Sequence, residues 1–114
     1  MPYLKIQTNQ PIAANAAQAL LAQASRLVAK QLGKPESYVM VALVPPAPML
    51  FAGSDKPLAY LELKSVGLPQ AKTAECSKVL SELLEKELGI AQDRVYIEFA
   101  NATGPMWGWN GGTF

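Results

Sequence analysis

Leu4 and Ile6 alternate with Lys5 and Gln7 between Tyr3 and Gln7, the period of two that marks a strand with one face buried. From Ala17 the period changes: Ala17, Leu20, Leu21, Ala24, Leu27, Val28 and Gln31 step by three and four, which predicts an amphipathic helix stopped near Gly33. Tyr38 to Val44 is a nearly continuous apolar run with three valines, bounded by Pro35 and by Pro45-Pro46, and reads as a fully buried strand. The second half repeats the order. Leu58–Ser65 reads as a strand, Thr73–Leu88 as a helix with the stripe Cys76, Leu80, Leu83, Leu84 and Leu88 before Gly89, and Val95–Phe99 as a strand. A shift of 56 positions takes Gly33 to Gly89, Leu20 to Cys76, Ala24 to Leu80, Val28 to Leu84, Leu32 to Leu88 and Val41 to Ile97 without a gap, the mark of an internal duplication.

Each half is therefore a β-α-β unit, whose right-handed crossover makes its strands parallel and puts its helix on one face. The expected fold class is α+β: two such units in a four-stranded mixed sheet with both helices on the same side. The sheet's second face raises a problem. Along Tyr38–Val44, residues of both faces are apolar, which predicts that sheets from several copies pack together. Pro45–Pro57 is expected as a surface loop, and Ala102–Phe114, with two tryptophans among its glycines, as a structured tail.

Composition sharpens this picture. The length of 114 residues fits one domain spanning 1–114, with halves at about 1–57 and 58–114. Half the residues are hydrophobic and only 17% are charged, little polar cover for so small a chain, again implying burial against another subunit. A net charge of +1 offers no electrostatic attraction for nucleic acid or an anionic membrane. No apolar run spans a bilayer, and the start lacks the apolar core of a signal peptide, so the expected compartment is the cytoplasm. Cys76 is alone, which excludes an internal disulfide, a cysteine zinc cluster and a Cys-x-x-Cys redox pair; on the apolar stripe it reads as a small core residue.

The chain has no histidine, so a base working near neutral pH must come from elsewhere. Removing Met1 would leave Pro2 with a free secondary amine, which burial and a nearby cation would push below the ordinary α-amine range. The alternative is that Pro2 merely opens an edge strand, where its missing N–H costs little.

Met1-Pro2, Gly33-Lys34-Pro35 before Tyr38, Phe51-Ala52-Gly53-Ser54, Ser65-Val66-Gly67, Asp93-Arg94-Val95-Tyr96-Ile97 and the final Gly108-Trp109-Asn110-Gly111-Gly112-Thr113-Phe114 together resemble the macrophage migration inhibitory factor family of the tautomerase superfamily. The resemblance runs from end to end. It implies a homotrimer with sites at subunit interfaces, and cofactor-independent tautomerisation of phenylpyruvate-like α-keto acids and dopachrome-type substrates. By motif match it makes Pro2 the catalytic base, Lys34 the active-site lysine, Val66 a residue whose backbone lines the site, and Tyr96 a contribution from the neighbouring subunit. Tyr38, Trp107, Trp109 and Phe114 fall where the family builds an apolar pocket wall.

Read without the family, Lys34 is more often a solvated turn lysine beside Pro35, Tyr96 is equally a strand residue with a satisfied hydroxyl, and the tryptophans could be subunit packing. Two departures matter. Where the animal proteins carry Cys-Ala-Leu-Cys, credited with thiol oxidoreductase activity, this chain has Leu58-Ala59-Tyr60-Leu61, so that activity is expected to be absent. Glu98 replaces an asparagine facing the site from the neighbouring chain; a carboxylate there favours protonated Pro2 and repels an anionic substrate, which predicts a displaced pH optimum or substrate preference. Two other function classes compete. One is a cytokine-like interaction protein with incidental tautomerase activity, which non-classical secretion would allow; the other, an RNA-binding split β-α-β domain, lacks a basic patch.

Overall fold

The computed structural model describes Met1–Phe114. Strand β1 (Tyr3–Thr8) leads into helix α1 (Ala14–Leu32) and strand β2 (Met40–Leu43); β3 (Ala59–Val66), α2 (Thr73–Leu88) and β4 (Val95–Ala102) repeat that order. A short hairpin, β5 (Gly108–Trp109) with β6 (Gly112–Thr113), completes the chain. The four long strands form one sheet in the order β2-β1-β3-β4, parallel within each half and antiparallel where β1 meets β3. This is the expected four-stranded mixed sheet.

One core holds the halves together. The period-two residues Leu4 and Ile6 of β1 and Leu61 and Leu63 of β3 meet the helical stripes Leu20, Ala24, Val28 and Leu32 of α1 and Cys76, Leu80 and Leu84 of α2, all buried. Burial of each leucine, isoleucine or valine is worth about 1.5–3 kcal/mol, enough to fix both helices on this face. Cys76 is the expected core residue, and burial pushes its thiol pKa up, away from thiolate chemistry.

The helix stops do more than end helices. Gly33 adopts φ 62°, and its N–H bonds the Lys30 carbonyl while that of Lys34 bonds Ala29 at 3.0 Å. These two bonds make a Schellman motif, which needs a residue free to take a left-handed conformation. Its consequence is positional: Lys34 leaves α1 at a fixed point, and a 3₁₀ turn over Glu36–Tyr38, closed by the Tyr38 N–H on the Pro35 carbonyl, fixes Tyr38 as well.

One expectation needs correction. The run Tyr38–Val44 is not a fully buried strand: its first residues belong to the 3₁₀ turn, and β2 is an edge strand with Met40 65% exposed, paired only to β1. Apolar residues on both faces belong to β2, the strand for which they were expected. In register across the sheet, the face away from the helices carries Ala42, Lys5, Glu62 and Glu98 in one row and Gln7, Tyr60 and Tyr96 in the next. Alternation on β1 and β3 places polar side chains there, and Lys64 pairs with Glu62 at 3.6 Å. No helix is long and apolar enough to cross a membrane.

Candidate active site

Pro2 lies at the head of β1, fully buried, with its carbonyl accepting the Met40 N–H at 3.0 Å. Beside it opens a cleft of about 490 Å³, lined mainly by apolar groups that include Tyr38, Met40, Trp107, Trp109 and Phe114. Local turn chemistry builds the wall. Asn110 and Gly111 have φ 52° and 77°, both positive, as a tight two-residue hairpin requires and as Asn-Gly favours. That turn folds β6 back on β5, and the Phe114 N–H bonds the Trp107 carbonyl. The rings of Trp109 and Phe114 then stack at 5.6 Å, and Tyr38 meets both edge-on, at 5.6 and 6.1 Å. Gly104 completes the tail, since a Cβ there would collide with the Phe114 backbone.

A positive charge stands near the amino end of β1. Lys34 Nζ lies against Gly67, 3.9 Å from where a Cβ would stand on that glycine. Two residues beyond the Tyr3–Lys64 pair, the antiparallel register sets Val66 beside Met1, so Lys34 and Val66 both stand next to the amino end of β1. The Met1 amine is held below its ordinary 8.0, first by burial and then by the Lys34 ammonium. Both disfavour adding a proton.

Tyr96 and Glu98 are elsewhere. They sit on β4, the opposite edge strand, two strands from β1 and therefore about 10 Å across the sheet from it. Five residues separate Tyr96 from Asn101, the β4 residue in line with Pro2, adding about 16 Å along the strand. Within one chain the fold gathers Pro2, Lys34, Val66, Tyr38, Trp107, Trp109 and Phe114 but leaves Tyr96 and Glu98 outside.

Around those two, residues missed in the sequence take part. The Tyr60 hydroxyl donates to Glu98 Oε2 at 3.3 Å, and burial with the Glu98 and Glu62 carboxylates pushes the Tyr60 pKa up. Tyr96 packs on Phe51. Only the period-two positions of Tyr60, Glu62, Tyr96 and Glu98 hinted at this, and only once the β3–β4 register is known. A larger open hollow of about 890 Å³, lined by Asn9, Gln10, Asp55 and the Pro46–Leu50 loop, has neither the buried amino end nor an aromatic wall.

The family model of macrophage migration inhibitory factor (MIF) matches residues 1–114. A macrophage migration inhibitory factor homolog of Brugia malayi is 42% identical over 116 residues, covering 100% of this chain and 99% of its own. The macrophage migration inhibitory factor of Mus musculus is 36% identical over 115 residues, with the same coverage. Among solved structures, the homologue from Prochlorococcus marinus matches with a TM-score of 0.92 and 42% identity over 98% of both chains. The protein from Toxoplasma gondii matches with a TM-score of 0.93 and 32% identity over 98% of this chain and 99% of its own. With the family model matching the whole chain, and relatives similar to it in sequence and in fold over nearly their full length, the chain belongs to the macrophage migration inhibitory factor family.

Proposed function

We propose that the protein is a keto–enol tautomerase of phenylpyruvate-like α-keto acids and dopachrome-type substrates, with Pro2 as the general base once Met1 is removed. With Met1 attached the Pro2 nitrogen is a tertiary amide with no basic lone pair, so the proposal requires the processed chain. The observation that carries it is the burial of Pro2 at the mouth of an aromatic cleft, in a place where an amine is held below its usual pKa by burial and Lys34.

The chemistry divides among these groups. The Pro2 nitrogen takes a proton from the carbon next to the substrate carbonyl, the C–H electrons form the carbon–carbon double bond, and the carbonyl oxygen takes up a proton to give the enol. Lys34 stabilises the charge that builds on oxygen and pairs with the carboxylate, while the walls from Tyr38, Trp107, Trp109 and Phe114 take the ring. One C–H bond breaks and one O–H bond forms. The reaction is redox-neutral, so we assign no cofactor.

Tyr96 and Glu98 would complete the site from a neighbouring copy. Their distance from Pro2 in one chain and the open β2 and β4 edges support an assembly, and family membership makes a homotrimer the natural form.

Mass spectrometry first establishes that Met1 is gone; ultraviolet assay of phenylpyruvate then compares wild type with Pro2→Gly. Gly keeps a primary amine but loses the ring and secondary amine, and activity is expected to fall by about 100-fold or more. A wild-type chain with a free Pro2 that is inactive on both phenylpyruvate and dopachrome esters overturns the reading.

A further inference from the structure

Phe51-Ala52-Gly53-Ser54 and Asp93-Arg94-Val95-Tyr96-Ile97 take no part in the cleft around Pro2, yet the fold ties these two segments to each other. The first is a two-residue turn closed by reciprocal backbone bonds between Phe51 and Ser54, both 3.0 Å. Its central residues have φ 53° at Ala52 and 71° at Gly53, a geometry that strains alanine because its Cβ crowds the following carbonyl. Such strain persists only where neighbours over-determine it.

Arg94 is that neighbour. Its Nη1 donates to the Phe51 carbonyl at 2.7 Å, Nη2 to those of Ser54 at 3.0 Å and Lys56 at 2.8 Å, and Nε to that of Pro57 at 3.3 Å. The guanidinium is thus spent on the backbone of one loop, and no carboxylate lies within ion-pair distance of it. Its carbon stands 5.2 Å from the centre of the Phe51 ring. That ring in turn packs on Tyr96 at 4.6 Å and 49°. Tyr96 is 66% exposed, so this ring contact is a principal restraint on its direction. Only a planar fork with five donors can span four carbonyls and lie on an aromatic face at once; a lysine ammonium has three donors at a single point.

We propose that Arg94 is a positioning residue for the reaction assigned above: by pinning the 51–57 loop it holds Phe51 against Tyr96 and sets the direction in which the Tyr96 hydroxyl is offered to substrate in a neighbouring copy. The inference rests on the reading that Tyr96 completes that site. Its effect falls on substrate binding rather than on proton transfer at Pro2.

The test compares Arg94→Lys, Phe51→Leu and Tyr96→Ala with wild type by phenylpyruvate kinetics and by the NMR shifts of the Tyr96 ring protons, which the neighbouring Phe51 ring displaces. Arg94→Lys is expected to raise KM about 3- to 10-fold with kcat within about twofold, leave the pH profile in place, and move the Tyr96 shifts toward those of a free ring. Phe51→Leu, which removes the ring and leaves the arginine, gives the same pattern and stands in if Arg94→Lys does not fold. In a Tyr96→Ala background Arg94→Lys adds nothing further, because the two act as one unit. Should Tyr96→Ala raise KM while Arg94→Lys and Phe51→Leu lower only the melting temperature, the positioning role is overturned and the site reading stands. Should Tyr96→Ala leave KM unchanged, Tyr96 lies outside the site and both ideas fall.

Discussion

The two edges of the sheet are chemically unlike. At the head of β1 and β2 the chain assembles a buried proline and an aromatic wall, with Lys34 nearby and Tyr96 and Glu98 far away. Along β4 it presents Tyr96 and Glu98, each held by a neighbour. On the proposed reading each region supplies half of a site. What this contrast teaches is that the two regions stay apart within one chain, because strand β3 is hydrogen-bonded between β1 and β4 and holds them there. On the proposed function assembly would be part of the catalytic apparatus, and the open edges of β2 and β4 are where it would act.

The sharpest way to break that contrast is complementation. Pro2→Gly and Tyr96→Ala copies are each expected to be weak alone; mixed in equal amounts within one trimer, about a quarter of the interfaces pair an intact Pro2 with an intact Tyr96. Activity on phenylpyruvate should recover to about that fraction of wild type, and recovery no greater than the sum of the parents means the halves do not meet. A smaller change should separate the charge at the head of β1 from its shape. Lys34→Met removes the cation that, after burial, lowers the pKa of the amino end, so the base becomes easier to protonate. Its kcat/KM should still rise with pH and level off once the base is free, but the rise should move to higher pH, with a loss of about tenfold at the acid end. An unmoved profile excludes Lys34 from tuning the base. The smallest effect belongs to the β4 edge. Glu98→Asn removes a carboxylate that opposes Lys34 and repels an anionic substrate, so KM for phenylpyruvate should fall about threefold and the acid limb should move to lower pH. A pH–rate profile and KM identical to wild type would show that Glu98 faces away from the reaction.

Legibility differs between the same two edges. Gly33-Lys34-Pro35 encodes a local device, a Schellman stop followed by a turn, so the positions of Lys34 and Tyr38 follow from a few consecutive residues. Asn110-Gly111 likewise announces the hairpin that brings Trp109 and Phe114 together. By contrast, Arg94 reaching carbonyls 37 to 43 residues away, and Tyr60 meeting Glu98, depend on register and loop path, which no local pattern specifies. The misreading of Tyr38–Val44 has a similar cause. An apolar run reports that a strand will be covered, but not whether the cover comes from its own chain.

The sequence alone determined the two β-α-β units, their 56-residue repeat, the helix stops and the buried stripes, because side-chain periods of two and 3.6 are imposed by the backbone and need no distant partner. The tertiary structure alone decided which strands lie at the edges, which face carries the charges, and that Pro2 and Tyr96 lie on opposite sides of the sheet. Those outcomes come from pairing between segments far apart in the chain, where many registers bury similar apolar area and the packing of the whole selects one.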